Sequence, residues 1–337
     1  MTATLTVAVL AGGRSSEHDI SLSSAAAVRD GLREGGHEVV WVEIARDGAW
    51  RRDGEGEPLS LTPGRGLLGV DAVFPALHGP FGEDGTVQGL LEMLDVAYVG
   101  SGVTASAVCL DKVLFKRLMA TAGTVPQVAF VGIEEDRYRR EPKQVLGEIG
   151  KLGRPVWVKP AHLGSSVGIA KAGAAADLGP ALEEAFAHDV QVIVEAQASG
   201  VEVECAVLGN CDPLASQPGE VLLAQGETGW YDFDAKYEVG GMELLVPARI
   251  SPRAAERVRE LALEAFARAG CDGLARVDFF VDGEQVLLNE LNTMPGFTPT
   301  SVYAKLLAAS GVAYAELVDR LCRLGIERHA QLGAHAF

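Results

Sequence analysis

The chain reads as an α/β and α+β protein of three successive units: a parallel, doubly wound layer, a small central α+β unit and a C-terminal α+β unit. Three observations carry this reading. Residues 5 to 44 run strand, loop, helix, strand, a βαβ pattern. Residues 126 to 195 alternate short strands and helices around a Gly/Ser loop. Residues 275 to 301, ARVDFFVDGEQVLLNELNTMPGFTPTS, read as an apolar hairpin interrupted by Arg276, Asp278, Glu290 and Asn292. At 337 residues the chain has room for two or three domains. We set the units at residues 1–112, 113–200 and 201–337.

In the first unit LTVAVLAGG is an apolar strand ending in glycines. Ser21 or Ser23 can cap a helix to about Glu34, Gly35-Gly36 ends it, and HEVVWVEI is the next strand. Glu17 lies at the carboxyl end of the first strand, where open α/β sheets bind ligands. DAVFPALHG is a further strand ending at His78, followed by the loop GPFGEDG and a helix over 85–95. One helix spans 103–121 and carries Lys112.

The second unit predicts strands at 126–131, 154–159 and 190–195 and helices at 141–151 and 176–187. Lys159 ends its middle strand and leads into AHLGSSVG. A small Gly/Ser loop lets backbone N–H groups approach phosphates, and an adjacent lysine adds a compact charge. In the third unit GWYDFDAKYEVGG, 229 to 241, reads as a lid-like loop bearing Tyr231, Lys236 and Tyr237. Ser251-Pro252 starts a helix to about Ala269. Helical segments at about 301–325 close the chain, and the last dozen residues carry no clear pattern.

The hairpin sets a register problem. In a strand alternate side chains share a face, so Arg276 goes with Asp278 and Glu290 with Asn292. A two-residue loop pairing Val281 with Glu284 separates the two pairs; a three-residue loop pairing Val281 with Gln285 unites them. A shared face requires an odd-length loop or a compensating bulge. Two carboxylates and an amide oxygen on one face suit Mg²⁺ with phosphate oxygens as further ligands.

Composition excludes several classes. A net charge of −17 argues against nucleic acid or an anionic membrane as partner. No apolar run reaches the ~18 residues of a membrane-spanning helix, and the start lacks a basic n-region, so we expect no signal peptide. Five cysteines without a CxxC pair point to buried, reduced thiols and a cytoplasmic location. No GK[ST] follows the first glycines, no GxGxxG is present, and kinase HRD and DFG motifs are absent. The lysines, Gly/Ser loop, hairpin carboxylates and Arg276 together fit phosphoryl transfer from a nucleoside triphosphate.

Eight motifs in order, GGRSSEHDISL, LHGPFGEDGTVQGLLEMLDVAYVGSG, ASAVCLDK, VKPAHLGSSVGI, ECAVLGN, YDFDAKY, ARVDFF and NELNTMPGFTPTS, make the chain resemble the D-alanine–D-alanine ligases of the ATP-grasp superfamily. The resemblance implies ATP held between the last two domains, and ligation of two D-alanines through a D-alanyl phosphate for peptidoglycan synthesis. It implies that Glu17, with His78 nearby, holds the first substrate's ammonium group. By the same likeness Lys112, Lys159 and Lys236 meet phosphates, Ser165 and Ser166 belong to the ATP loop, and Trp157 and Phe280 flank adenine. Glu195 would meet the adenine amino group and Glu202 the ribose. Asp278, Glu290 and Asn292 would bind two Mg²⁺ (or Mn²⁺), Arg276 the oxyanion, and Ser301 the second substrate's carboxylate. Ser165 and Tyr237 would join Glu17 in a closing network. A homodimer is implied likewise. His162-Leu163 departs from the usual loop residues and should affect lid contacts. The intact Ala235-Lys236-Tyr237 favours an amine over D-lactate as second substrate. A D-alanine–D-lactate or D-alanine–D-serine ligase on the same fold and a non-catalytic nucleotide-binding module are the other readings.

Overall fold

The computed structural model describes residues 3–164, 167–223 and 242–335. Among these residues the strands fall into three sheets. The first has the order β3-β2-β1-β4, with β1 (Thr6–Gly12) parallel to β2 (Glu38–Ile44) and β4 (Ala72–Pro75), and β3 (Trp50–Arg52) antiparallel at the edge. Its central strand β1 is buried on both faces, as a parallel strand under helices should be. One face packs on α1 (His18–Glu34) through Ala25, Val28 and Leu32; the other packs on α2 (Thr86–Leu94) through Val87, Leu91 and Leu94.

Helix α1 starts earlier than the serines suggested. Glu17 holds the N-cap position, and Ser21 is buried inside the helix, where its hydroxyl donates to the Ala76 carbonyl and accepts from Gly12 N–H. The predicted helix over 103–121 is two helices, α3 (Val103–Leu110) and α4 (Lys112–Ala122). Asp111 adopts an extended conformation between them, and its carboxylate caps α4 by accepting from Leu114 N–H. This break turns Lys112 toward the middle unit.

The second sheet has the order β5-β8-β6-β7 and is antiparallel throughout, with β5 (Phe130–Glu134), β6 (Val156–Pro160), β7 (Ala170–Ala172) and β8 (Gln191–Ala196). The strand predicted at 126–131 begins only at Phe130; Gln127 instead bridges to Leu288 of the third sheet. After the short α5 (Glu135–Arg140), α6 (Pro142–Ile149) and α7 (Leu178–Phe186) cover one face of this sheet through Val145, Ile149, Leu182 and Ala185. The other face carries Trp157, Lys159 and Glu195.

The third sheet runs β12-β11-β9-β13-β14, with β10 (Leu214–Ala215) also on β9. Its strands are β9 (Val201–Gly209), β11 (Gly219–Leu223), β12 (Met242–Leu245), β13 (Gly273–Asp282) and β14 (Gln285–Asn292). Ser251 caps α8 (Pro252–Ala269) by accepting from Ala254 N–H, as its sequence announced. Val258, Leu261, Ala265 and Phe266 of α8 pack on Val203, Val277, Phe279 and Leu291, the apolar alternates of the strands. The polar alternates therefore face the opposite way.

Helices α9 (Val302–Ala309) and α10 (Tyr314–Gly333) close the chain. Helix α10 extends through residues that carried no clear pattern, and Leu317, Val318 and Leu321 return it to the core under α1. No described helix is long and apolar enough to cross a membrane. Of the five cysteines, Cys211 is exposed, contrary to expectation; the other four are buried and all are free thiols.

Candidate active site

The hairpin reaches a shared polar face by neither loop considered from the sequence. Asp282 pairs with Gln285 and Val281 with Val286, leaving a two-residue turn at Gly283-Glu284. A bulge between Phe279 and Asp278 then makes Asn289 the extra residue, so Asp278 pairs with Glu290 and Arg276 with Asn292. Strand β9 continues the face, with Glu204 opposite Asp278 and Glu202 opposite Phe280. Arg276, Asp278, Phe280, Glu290, Asn292, Glu202 and Glu204 thus lie on one side of the third sheet because the other side is core.

That face meets the polar face of the second sheet and the loops of the first across a cleft of about 730 Å³. Glu17, His78, Lys112, Trp157, Lys159, Glu195, Glu202, Arg276, Asp278, Phe280, Glu290, Asn292 and Ser301 all line it. Ser165, Ser166, Lys236, Tyr237 and the predicted lid over 229–241 lie outside the described residues.

On the second sheet Glu195 forms ion pairs with Lys116 Nζ and Lys159 Nζ, each at 2.6 Å, one at each carboxylate oxygen. Burial pushes the Glu195 carboxyl up, but the two lysines outweigh it and hold it at about 2. Burial pulls Lys116 down, whereas at Lys159 the carboxylates of Glu195 and Glu290 overcome burial and hold the ammonium above its usual range. The oxygens assigned from the sequence to an adenine amino group thus each hold a lysine, with further lone pairs to accept more. Lys116 went unnoticed in the sequence. Its signal was present: one of only eight lysines, one turn beyond Lys112 on α4.

Lys112 Nζ donates to the Leu163 carbonyl at 2.6 Å, fastening the Gly/Ser loop. His162 fastens it again. Its ring lies 3.0 Å from Asp189 and 3.4 Å from Asp111, and those carboxylates raise its pKa to about 10, so it is charged at neutral pH. The unusual loop residue is an anchor between the loop, α4 and β8.

On the third sheet Arg276 donates to both oxygens of Asp278 at 2.8 Å each and lies 2.9 Å from Glu204. Burial alone would lower its pKa; Asp278 and Glu204 hold it well above the usual value. Asn292 Nδ2 donates to Asp278 Oδ2 at 3.1 Å, which turns its carbonyl oxygen away from that carboxylate. Asp278 and Glu290, directly opposed, repel one another. With Glu204 they gather three carboxylates around the single guanidinium of Arg276, so the donor set fits a divalent cation. Among the described residues no group of three His, Cys, Asp or Glu side chains is arranged to hold a metal ion by itself.

In the first unit Glu17 is buried, and its Oε2 would lie only 2.5 Å from a Cβ placed on Gly79. Gly79 is thus the close approach that admits the carboxylate. His78, expected beside the substrate ammonium, commits both ring nitrogens to protein: Nε2 to Ser24 Oγ at 2.9 Å and Nδ1 to the Met294 carbonyl at 3.1 Å. Burial lowers its pKa, so the ring is neutral and its role is to position. Ser301 precedes α9, and its hydroxyl accepts from Thr298 N–H at 3.0 Å, holding the turn at the helix N-terminus.

Two sheets enclosing paired lysines, facing carboxylates and a buried arginine define an ATP-grasp ligase. The chain matches the family described as D-ala D-ala ligase N-terminus over residues 6–67 and 57–101, and D-ala D-ala ligase C-terminus over residues 118–323. It is 45% identical to the D-alanine–D-alanine ligase of Deinococcus radiodurans, an alignment covering 95% of this chain and 98% of the relative. Among solved structures it resembles the VanG D-Ala:D-Ser ligase from Enterococcus faecalis (TM-score 0.84, 32% identity, 96% of this chain and 100% of that one). It is similar too to the D-alanine–D-alanine ligase from Coxiella burnetii (TM-score 0.83, 32% identity, 99% and 97% coverage). The chain belongs to the D-alanine–D-alanine ligase family.

Proposed function

We propose that this protein joins two D-alanine molecules at the expense of ATP, giving D-alanyl-D-alanine, ADP and phosphate for peptidoglycan precursor synthesis. The carboxylate of the first D-alanine attacks the γ-phosphorus and ADP leaves. The amino group of the second then attacks the acyl phosphate carbon, and phosphate leaves. The observation that carries this reading is the cleft that joins Glu17, Lys112 and Lys159, and the Arg276 face among the described residues.

Glu17 receives the first ammonium group, and Arg276 faces the oxyanion formed when the amine attacks, where a buried cation stabilises most. Lys112 and Lys159 meet the phosphates, with Ser165, Ser166 and Lys236. Trp157 and Phe280 flank adenine beside Glu195 and Glu202. Ser301 takes the second carboxylate. Asp278, Glu290 and Asn292 would hold two Mg²⁺ (or Mn²⁺), which supply neutralisation of the triphosphate charge when bound. Units at 1–112, 113–200 and 201–337, a cytoplasmic homodimer and the absence of nucleic-acid or membrane partners complete the proposal.

VanG, the D-Ala:D-Ser ligase, shares the fold, so a second substrate other than D-alanine is the reading to test against. ATP-dependent phosphate release with Mg²⁺ is measured with D-alanine, L-alanine, D-serine and D-lactate. Release with D-alanine alone is expected; its absence would overturn the assignment.

A further inference from the structure

The two oxygens of the Glu195 carboxylate are not equivalent. Oε1 lies 2.6 Å from Lys116 Nζ, and both of these atoms are closed off from solvent. Oε2 lies 2.6 Å from Lys159 Nζ. Glu195 lines the cleft while its Oε1 is sealed, so Oε2 is the carboxylate oxygen that a ligand can reach. The lysines differ in the same sense. Lys159, on β6, lines the cleft and keeps 15% of its side chain exposed. Lys116, on α4, is 2% exposed, lies outside the cleft lining and is backed by the Phe130 ring, 5.8 Å from its Nζ. Lys116 therefore acts on a nucleotide only through Glu195.

The assigned roles make two demands on Lys159. The oxygen that would take the adenine amino group is the one Lys159 already holds, and Lys159 is also expected at the phosphates. Those groups stand at opposite ends of a nucleotide, so one ammonium group cannot sit beside both. We propose that Lys116 is a positioning residue for nucleotide binding: it stays on the buried oxygen of Glu195, so that Lys159 can leave the cleft-side oxygen for a phosphate while the adenine amino group takes its place. The inference rests on the assignment of Glu195 and Lys159 to ATP.

The electrostatics favour this exchange. Without Lys116, departure of Lys159 would strand a buried carboxylate, which is strongly unfavourable. With Lys116 in place the charge stays paired, and the amino group adds a hydrogen bond to a carboxylate already neutralised. The two ammonium groups repel one another across Glu195, and the carboxylates of Glu290 and Glu202, on the third sheet, attract Lys159. Lys159 is also the side chain free to travel, a flexible four-carbon stem at the edge of the cleft. One lysine is thus a fixed counter-charge and the other a mobile one.

The test is calorimetric titration of ADP and of adenosine, each with Mg²⁺ and without D-alanine, into the full chain and its variants. The ADP-to-adenosine affinity ratio isolates what the phosphates contribute. Lys116→Met should leave adenosine affinity near the wild-type value and weaken ADP about tenfold or more, because Glu195 then retains Lys159. Lys116→Met combined with Glu195→Gln should restore the ratio, since a neutral amide no longer holds the lysine. A merely structural Lys116 would weaken both ligands alike and would not be rescued by Glu195→Gln. An unchanged ratio in Lys116→Met would overturn the inference, as would a low ratio that persists in the double variant. Should Lys116→Met not fold, Glu195→Gln alone decides: its ratio should exceed that of the wild type, and an equal or lower one would overturn the inference. A wild type that binds ADP no more tightly than adenosine would instead refute the assignment of Lys159 to phosphate.

Discussion

Arg276 pairs with two carboxylates, Glu204 and Asp278. On the proposed oxyanion role, Arg276→Ala should lower kcat by roughly 10²–10³ while leaving the KM for ATP nearly unchanged. Steady-state kinetics check this, and an equal loss in both would contradict the oxyanion role. Lys116 is a different case. It is almost wholly buried against Glu195, and removing one partner of a buried pair strands the other. Lys116→Met should destabilise the fold by about 3 kcal/mol in denaturant titration, with Lys159 still neutralising part of the Glu195 charge. A change within experimental error would mean that Lys159 suffices alone. Residue identities such as Asp278, Glu290 and Lys159 were legible because charge inside an apolar strand pattern is conspicuous. Glu204 was not, since it gains meaning only from Arg276, far away in the chain, and the spacing that singles out Lys116 does not reveal Glu195 as its partner.

At the scale of elements, the hairpin shows how a polar face survives an unfavourable turn. The turn alone would have sent Glu290 to the core side; the bulge at Asn289 returns it to face Asp278. Alternation predicts faces, but one extra residue reverses them, and a bulge has no composition signal of its own. The Gly/Ser loop is a second case. Its flexibility was evident, yet its anchoring through His162, Asp111 and Asp189 depended on α3 and α4 being separate helices. His162→Ala should raise the KM for ATP several-fold with little change in kcat, checked by ATP saturation at excess D-alanine; an unchanged KM would deny the anchor. Gly200 marks a third constraint, at the turn between β8 and β9. Its φ is +93°, and an added Cβ would lie 2.1 Å from the Val281 carbonyl oxygen. Gly200→Ala should lower the thermal midpoint by several degrees, since neither backbone can yield cheaply.

For the whole molecule, acid and base stability follow from the sign of each shift. Glu195 is depressed in the fold, so its contribution is present above the unfolded value near 4.5 and is lost as pH falls through about 2. His162 is raised, so its contribution is full below 6.5 and lost as pH rises through about 10. Glu83 is a raised carboxyl, which favours the fold in its protonated form; that contribution declines as pH climbs from about 4.5 to about 8. Denaturation midpoints of the full chain should therefore fall from pH 5 to pH 8, through Glu83 and, above 6.5, His162 as well; a flat profile would contradict a raised Glu83 carboxyl. Chelation of Mg²⁺ should abolish phosphate release, with recovery on adding it back; persistence under chelation would remove the metal role of Asp278, Glu290 and Asn292.

The sequence by itself determined the elements, the alternation of apolar and polar positions, and the motif order that marks the family. Those are local properties: period, capping residues, glycines and the type of side chain placed where a strand should be apolar. Tertiary structure decided which of these groups meet. It joined Lys116 to Glu195 across 79 positions (195 − 116) and Glu83 to Met294 across 211, and brought α10 back beneath the first sheet. Such pairings depend on how three sheets pack around one cleft, and their charges acquire functional strength only where that packing excludes water.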